Sequence, residues 1–253
     1  MNRIITKTYT EHTQEINSLN ETLFHTANGY IGVRASLEEG VPAKWNTMRG
    51  TYLNGVYDVI PMKQAEQLCN FVDKKDTMVN VTDTMSIVFV IDGEQFDMSS
   101  GTLVSHTRTL DMEAGYSIRQ VDWISPKGHH IELTVKRMTS FELLSLFLIE
   151  YSVRIIDSEA DVKIISSHNA GVVNYCNPDD PRLAAESIRN LSTKEIGEKQ
   201  GAICSVSETS VSKLLLCTLS KNIAVVERNG VAEDLLASAV LNDGEEKIKT
   251  KII

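Results

Sequence analysis

The chain has 253 residues, 42% hydrophobic and 23% charged, the proportions of a soluble globular protein of one large or two small domains. That balance excludes collagen-like, disordered and disulfide-scaffold classes. Twenty-five basic against thirty-four acidic residues leave a net charge of -9. Such a chain repels polyphosphate, and no Lys/Arg cluster offsets the repulsion, so no nucleic-acid partner is expected.

Met1 to Tyr9 alternates polar and apolar residues and has no apolar stretch of signal-peptide length. The longest apolar-rich run, Leu143 to Ile149, is too short and too interrupted to cross a bilayer, so no membrane partner is expected. Cys69, Cys176, Cys204 and Cys217 show no CxxC spacing and no paired pattern. They are expected as reduced, mostly buried thiols of a cytoplasmic protein.

The dominant period along the chain is two. Strands are predicted at Arg3–Thr8, Tyr30–Ser36 and the dense run Ser86–Ile91. Asp92-Gly93 then suits a hairpin turn, which returns Phe96 and Met98 on the next strand. Further strands follow at Val104–Leu110, Tyr116–Ile124 and Ile131–Val135, the last alternating with Glu132, Thr134 and Lys136. Pro126-Lys127-Gly128 reads as the turn between the last two. Leu144–Ile156, Val162–Ser167, Ala202–Glu208, Ser210–Leu219 and Ile223–Glu227 complete the set, with a polar turn at Asp157–Asp161. Leu183–Asn190 and Val231–Leu241 are expected as short helices, the second on helical spacing without a strong cap. Gly244-Glu245-Glu246 reads as a turn and Lys247–Ile253 as one more strand. The expected fold is mainly β: one large antiparallel β-sandwich domain over residues 1–253 with few short helices, as a piece of a longer protein.

Candidate chemistry is sparse. The adjacent acids Glu38-Glu39 and Asp179-Asp180 are poor partners for two-carboxylate catalysis, because neighbours on an extended strand face opposite ways. Solvated loops are the expectation for both. His12, His25, His106, His129, His130 and His168 lack metal-ligand spacing, and no nucleophile elbow or phosphate-binding glycine loop occurs. No metal and no cofactor are expected. His106, His168 and Glu150 are the only acid–base pieces available for a stand-alone sugar mutarotase. Two segments are richer than packing requires. They are Ala27–Arg34 (ANGYIGVR), followed by Glu38-Glu39, and Arg49–Asp58 (RGTYLNGVYD). Their Gly, Asn, Tyr and Arg residues suit a polar partner surface.

These segments carry a resemblance. ANGYIGVR with Glu38-Glu39, then RGTYLNGVYD, then Leu110-Asp111-Met112 with Gly115 and Arg119, resemble glycoside hydrolase family sixty-five. So do Trp123, Gly128, Arg137–Phe141 and Val173-Asn174. That family holds the maltose, trehalose, nigerose and kojibiose phosphorylases. Asn177–Arg182 (NPDDPR) and the Ser145-Leu146-Phe147 run are most similar to its kojibiose-phosphorylase members. Ala35-Ser36 departs from the pattern, where a further Gly is common after the Arg.

The resemblance implies an N-terminal galactose-mutarotase-like supersandwich. The catalytic (α/α)6 barrel and the C-terminal jelly roll of the family are absent from this chain. No residue here inherits a catalytic role, and the chain alone is expected to be inactive. The implied parent is an inverting phosphorylase converting an α-glucoside disaccharide and phosphate into β-glucose 1-phosphate and glucose. Phosphate takes the place of the activated water, so no second carboxylate is needed as base. The implied partners are the catalytic barrel of the same parent chain and a second copy in a homodimer. Trp45, Arg49, Tyr52, Asn54 and Tyr57 are the candidate barrel-docking or site-wall residues. The alternatives are an autonomous carbohydrate-binding domain and the N-terminal domain of a hydrolase of the same family.

Overall fold

The computed structural model describes residues 3–61, 70, 72–156, 159–177, 188–228, 231–235, 239–242 and 246–252. Strand β1 (Ile4–Tyr9) leads into helix α1 (Gln14–Leu23), then β2 (Thr26–Ala27), β3 (Ile31–Val33), β4 (Thr51–Pro61) and β5 (Lys74–Asn80). Next come β6 (Asp83–Ile91), β7 (Glu94–Gln95), β8 (Thr102–Asp111), β9 (Tyr116–Ile124) and β10 (His130–Thr139). They are followed by β11 (Phe147–Ile155), β12 (Val162–Asn169), β13 (Leu191–Lys199), β14 (Ala202–Thr209) and β15 (Leu215–Lys221). The last are β16 (Ala224–Arg228), β17 (Val231–Leu235), β18 (Ala239–Asn242) and β19 (Lys247–Ile252). The fold is mainly β and antiparallel, as the period of two predicts.

Two five-stranded sheets, ordered β1-β8-β9-β10-β11 and β18-β19-β12-β6-β7, contribute residues to one core cluster. Val121 and Trp123 of β9 and Ile131, Leu133 and Val135 of β10 meet Phe89 and Ile91 of β6 in the largest core cluster. Fully burying side chains of this size stabilises by about 1.5–3 kcal/mol each. Asp92 and Gly93 both take positive φ, 45° and 81°, the mirror-image turn that matches strand twist. The returning residue Phe96 stacks on Phe89 at 4.7 Å and meets Trp123 edge-on at 5.1 Å. Smaller sheets β2-β3-β4-β5 and β13-β14-β15, with the pair β16-β17, complete the chain.

Several expectations change. Within the expected helix Val231–Leu241, the described residues Val231–Leu235 and 239–241 are strand: β17 pairs with β16 and β18 with β19, so strand pairing overrides a spacing that no cap supports. The predicted strand Ser210–Leu219 starts only at Leu215, because Asp58 holds Ser210–Ser212 in a turn. Helix α1 is absent from the sequence expectations. Its N-cap Thr13 accepts the Ile16 N–H at 3.3 Å, but its buried face is Asn17, Asn20 and Glu21. A helix with a polar inner face leaves no apolar stripe to detect. Strands β4, β5 and β13 were likewise not anticipated. Cys204 is half-buried and Cys217 exposed, against the expectation of buried thiols, because both lie on the outward face of their sheet. Cys69, Asp157, Asp179-Asp180, Gly244-Glu245 and most of Leu183–Asn190 lie outside the described residues.

Candidate functional site

The strongest electrostatic feature is internal. On the core face of the first sheet, β8, β9 and β10 carry Arg108, Arg119 and Arg137, each at most 5% exposed. The apolar alternation Ile131, Leu133, Val135 of β10 continues directly into Arg137. The segment Arg34–Gly50 crosses this face. Its backbone carbonyls accept from the arginines: Ala35 from Arg108 at 2.8 Å and Arg34 from Arg137 at 3.3 Å. A turn at Glu38-Glu39 then drops both carboxylates onto the guanidiniums.

Glu38 accepts from Arg119 at 2.7 Å and from Arg137 Nε at 2.6 Å, and Glu39 accepts from Arg119 at 2.7 Å. The expectation of a solvated loop with diverging acids is therefore wrong. These residues form a turn rather than a strand, and a turn lets both side chains point the same way. Burial alone would raise the Glu38 pKa. Arg137 and Arg119 outweigh it and pull the carboxyl down to about 2. A carboxylate so paired has no proton to give at neutral pH. The adjoining cavity, about 10 Å³, has room for roughly one water. This cluster is built to hold the segment Arg34–Gly50 in place.

The same segment is tied down twice more. Glu21 of α1 accepts the Met48 N–H at 2.7 Å and the Thr47 hydroxyl. Arg49 grips Asp83 of β6 through Nε at 2.7 Å and Nη2 at 3.2 Å, and donates to the Leu37 carbonyl at 2.6 Å. Arg49 is thus directed inward. Gly50 has no alternative residue at its position without movement, since a Cβ there would stand 2.7 Å from the Tyr52 ring.

Beyond Tyr52, β4 loses register with β5 until Tyr57. That irregularity leaves Asn54 exposed and Tyr57 41% exposed, while Tyr52 stays half-buried. Burial raises the Tyr52 hydroxyl pKa, with Arg34 opposing. Asp58 turns inward and accepts the N–H groups of Ser210 and Ser212 at 2.9 Å each. Burial would raise its pKa; these backbone donors hold it below the usual range.

Trp45 stands elsewhere. It lines an open groove of about 620 Å³ with Thr10, His12, Lys44, Asp97, Ser99 and Thr102, and meets the His12 ring edge-on at 4.8 Å. None of Arg49, Tyr52, Asn54 or Tyr57 lines that groove. The mutarotase pieces are not assembled either. His106 is buried on β8 and His168 lies buried between Ser205 and Ser220, while Glu150 is exposed on β11.

The sequence expectations missed one surface. Asn28 donates to the Ser140 and Leu144 carbonyls at 2.5 and 2.9 Å, and accepts from the Tyr30 and Ile31 N–H groups. It thereby fixes a loop on which Phe141 is 68% and Leu143 63% exposed, with Leu144 beside them. Asn54 N–H donates to the Tyr30 carbonyl at 2.8 Å, which joins β4 to the same surface. The only sequence signal was the apolar run after Arg137–Phe141.

Antiparallel sheets around a buried carboxylate–guanidinium centre define a mainly-β domain. The family profile described as glycosyl hydrolase family 65, N-terminal domain, matches residues 7–251, and this chain belongs to that family. An alpha,alpha-trehalose phosphorylase from Geobacillus stearothermophilus is 32% identical over 243 residues, covering 93% of this chain and 32% of that protein. A kojibiose phosphorylase from Halothermothrix orenii is 32% identical over 156 residues, covering 61% of this chain and 18% of that protein. A solved structure of a putative kojibiose phosphorylase from the human microbiome superposes with a TM-score of 0.77 at 14% identity. It covers 98% of this chain and 30% of its own. The chain therefore spans about a third of the length of the curated relatives it matches over nearly all its residues. No helix among the described residues is long and apolar enough to cross a membrane.

Proposed function

We propose that this chain is the non-catalytic N-terminal module of a longer inverting phosphorylase. The whole protein splits an α-linked glucose disaccharide with phosphate, in the cytoplasm, giving β-glucose 1-phosphate and glucose. The observation that carries this reading is the match of nearly the whole chain to about a third of a trehalose phosphorylase. The buried acids support it, since Glu38 and Asp58 are committed to internal partners rather than to an open site. Kojibiose as the disaccharide rests on Asn177–Arg182, nearly all of which lies outside the described residues, and on the short run Ser145-Leu146-Phe147. The proposed substrate is accordingly the class of α-linked glucose disaccharides.

In this reading the docking surface toward the catalytic region is the Asn28-anchored loop with Tyr30, Asn54, Tyr57, Phe141 and Leu143. Exposed aromatic and aliphatic side chains on a fixed backbone suit a permanent interface. Phe141→Ser with Leu143→Ser should lower binding of a hydrophobic dye severalfold while changing stability by less than about 0.5 kcal/mol. A large fall in melting temperature would show instead that these side chains belong to the core.

The Trp45 groove supports a second reading, a module that binds sugar by itself, because an indole ring there lies beside the polar side chains of His12, Lys44, Asp97 and Ser99. Purified chain assayed with maltose, trehalose and kojibiose plus phosphate is expected to release no glucose 1-phosphate. Calorimetry with maltose, kojibiose and glucose should show no binding heat. Turnover overturns the module assignment, and millimolar or tighter binding lost in Trp45→Ala establishes the second reading.

A further inference from the structure

The sheet β13-β14-β15 buries Ile203, Ser205, Ser207 and Thr209 of β14, so alternation turns Cys204 outward. In the β14–β15 register Val206 faces Cys217 and Cys204 faces Leu219, which makes the two cysteines diagonal neighbours. Their Sγ atoms lie 3.5 Å apart, with Cys217 exposed and Cys204 half-buried. Strand β15 is the edge of its sheet, and it exposes Leu215 and Leu219 on the same side as Cys217.

We propose that Cys204 and Cys217 form a reversible dithiol–disulfide pair, closed by a small-molecule disulfide of the glutathione type, that staples edge strand β15 to β14. This site is independent of the function proposed above. The Cys217 thiolate attacks one sulfur of the small disulfide, forming a mixed disulfide and releasing the first small thiol. Cys204 then loses its proton and displaces the second small thiol, which closes the protein S–S bond. Two electrons and two protons leave the protein with the two small thiols, so the exchange balances. The hydrogen bond with Cys217, and then burial, push the Cys204 thiol up, which leaves exposed Cys217 as the first nucleophile.

Geometry argues that the bond is labile. Closure brings the sulfurs from 3.5 Å to a bond length of about 2.05 Å. Diagonal neighbours stand farther apart than directly opposed residues, which puts the pair at the wide end of what a disulfide spans and favours a strained bond. Strained disulfides are the easily reduced, reversible kind.

The test equilibrates the chain with mixtures of reduced and oxidised glutathione, quenches with acid, alkylates and digests with trypsin. The expected product joins the peptides Gln200–Lys213 and Leu214–Lys221 at about 2 Da below their summed thiol masses, and dithiothreitol reverses it. The cross-link should persist when Cys69 and Cys176 are both replaced by Ser and disappear in Cys217→Ser. Amide exchange across β15 should slow in the oxidised chain. Free thiols at every ratio, glutathione adducts without a cross-link, linkage to Cys69 or Cys176, or unchanged β15 exchange would each overturn the proposal.

Discussion

Glu38→Gln is expected to destabilise the protein by about 3–5 kcal/mol, the cost of leaving a buried charge without its counter-ion. Glu38 is 1% exposed and shares its carboxylate between Arg119 and Arg137, with Arg108 on the neighbouring strand. Removing its charge leaves three buried guanidiniums facing Glu39 alone. Domains of this kind are stable by only about 5–15 kcal/mol, so the loss reaches a large fraction of the total. Glu38→Leu combined with Arg137→Met should recover much of it, because an ion pair replaced whole by apolar side chains is often near neutral. Urea unfolding of the parent, Glu38→Leu, Arg137→Met and the combined variant completes a double-mutant cycle. A Glu38→Gln variant within about 1 kcal/mol of the parent would mean that the cluster is solvated and the segment Arg34–Gly50 is held by other contacts.

Mild acid should weaken the fold before its carboxylates titrate. Burial, then Arg119 and Arg108, hold the pKa of His106 far below the ordinary 6.5, and neither of its ring nitrogens has a hydrogen-bond partner. Burial holds His168 near 4, with Asp83 opposing. In both cases the folded state refuses a proton that the unfolded chain accepts below pH 6.5. Stability is therefore fully present above that value and falls as the pH drops beneath it, by about 1.4 kcal/mol per pH unit for each histidine. The His168 contribution levels off near pH 4, while that of His106 continues lower. Glu38 adds a second loss between its ordinary 4.5 and about 2. His106→Gln should flatten the stability profile between pH 6 and 4.5 by about 1.4 kcal/mol per unit. An unchanged slope in that variant would show that His106 is protonated in the fold.

Much of the β architecture was legible because alternation is local. Ile131, Leu133 and Val135 announce the inner face of β10, and Asp92-Gly93 announces the turn after β6. The same alternation carries Arg137 inward. Helix α1 escaped because Asn17, Asn20 and Glu21 form its buried face, so its period carries no hydrophobic signal. The polar richness of Arg49–Asp58 was visible, but its division was not. Arg49 and Asp58 serve internal contacts with Asp83 and Ser210–Ser212, whereas Asn54 and Tyr57 reach the surface.

By itself the sequence determined the class of fold, the register-setting turns and the family resemblance, all of which depend on residues close together or on their order. Tertiary structure alone decided the partners. Glu38 meets Arg137 across 99 positions and Asn28 meets Ser140 across 112, while Cys204 meets Cys217 only through the register of one hairpin. A buried charge or amide must find its complement wherever the packed sheets bring one, because an unpaired polar group inside costs more than local preference can repay. Those distant pairings set which of the conspicuous residues became structure and which remained on the surface.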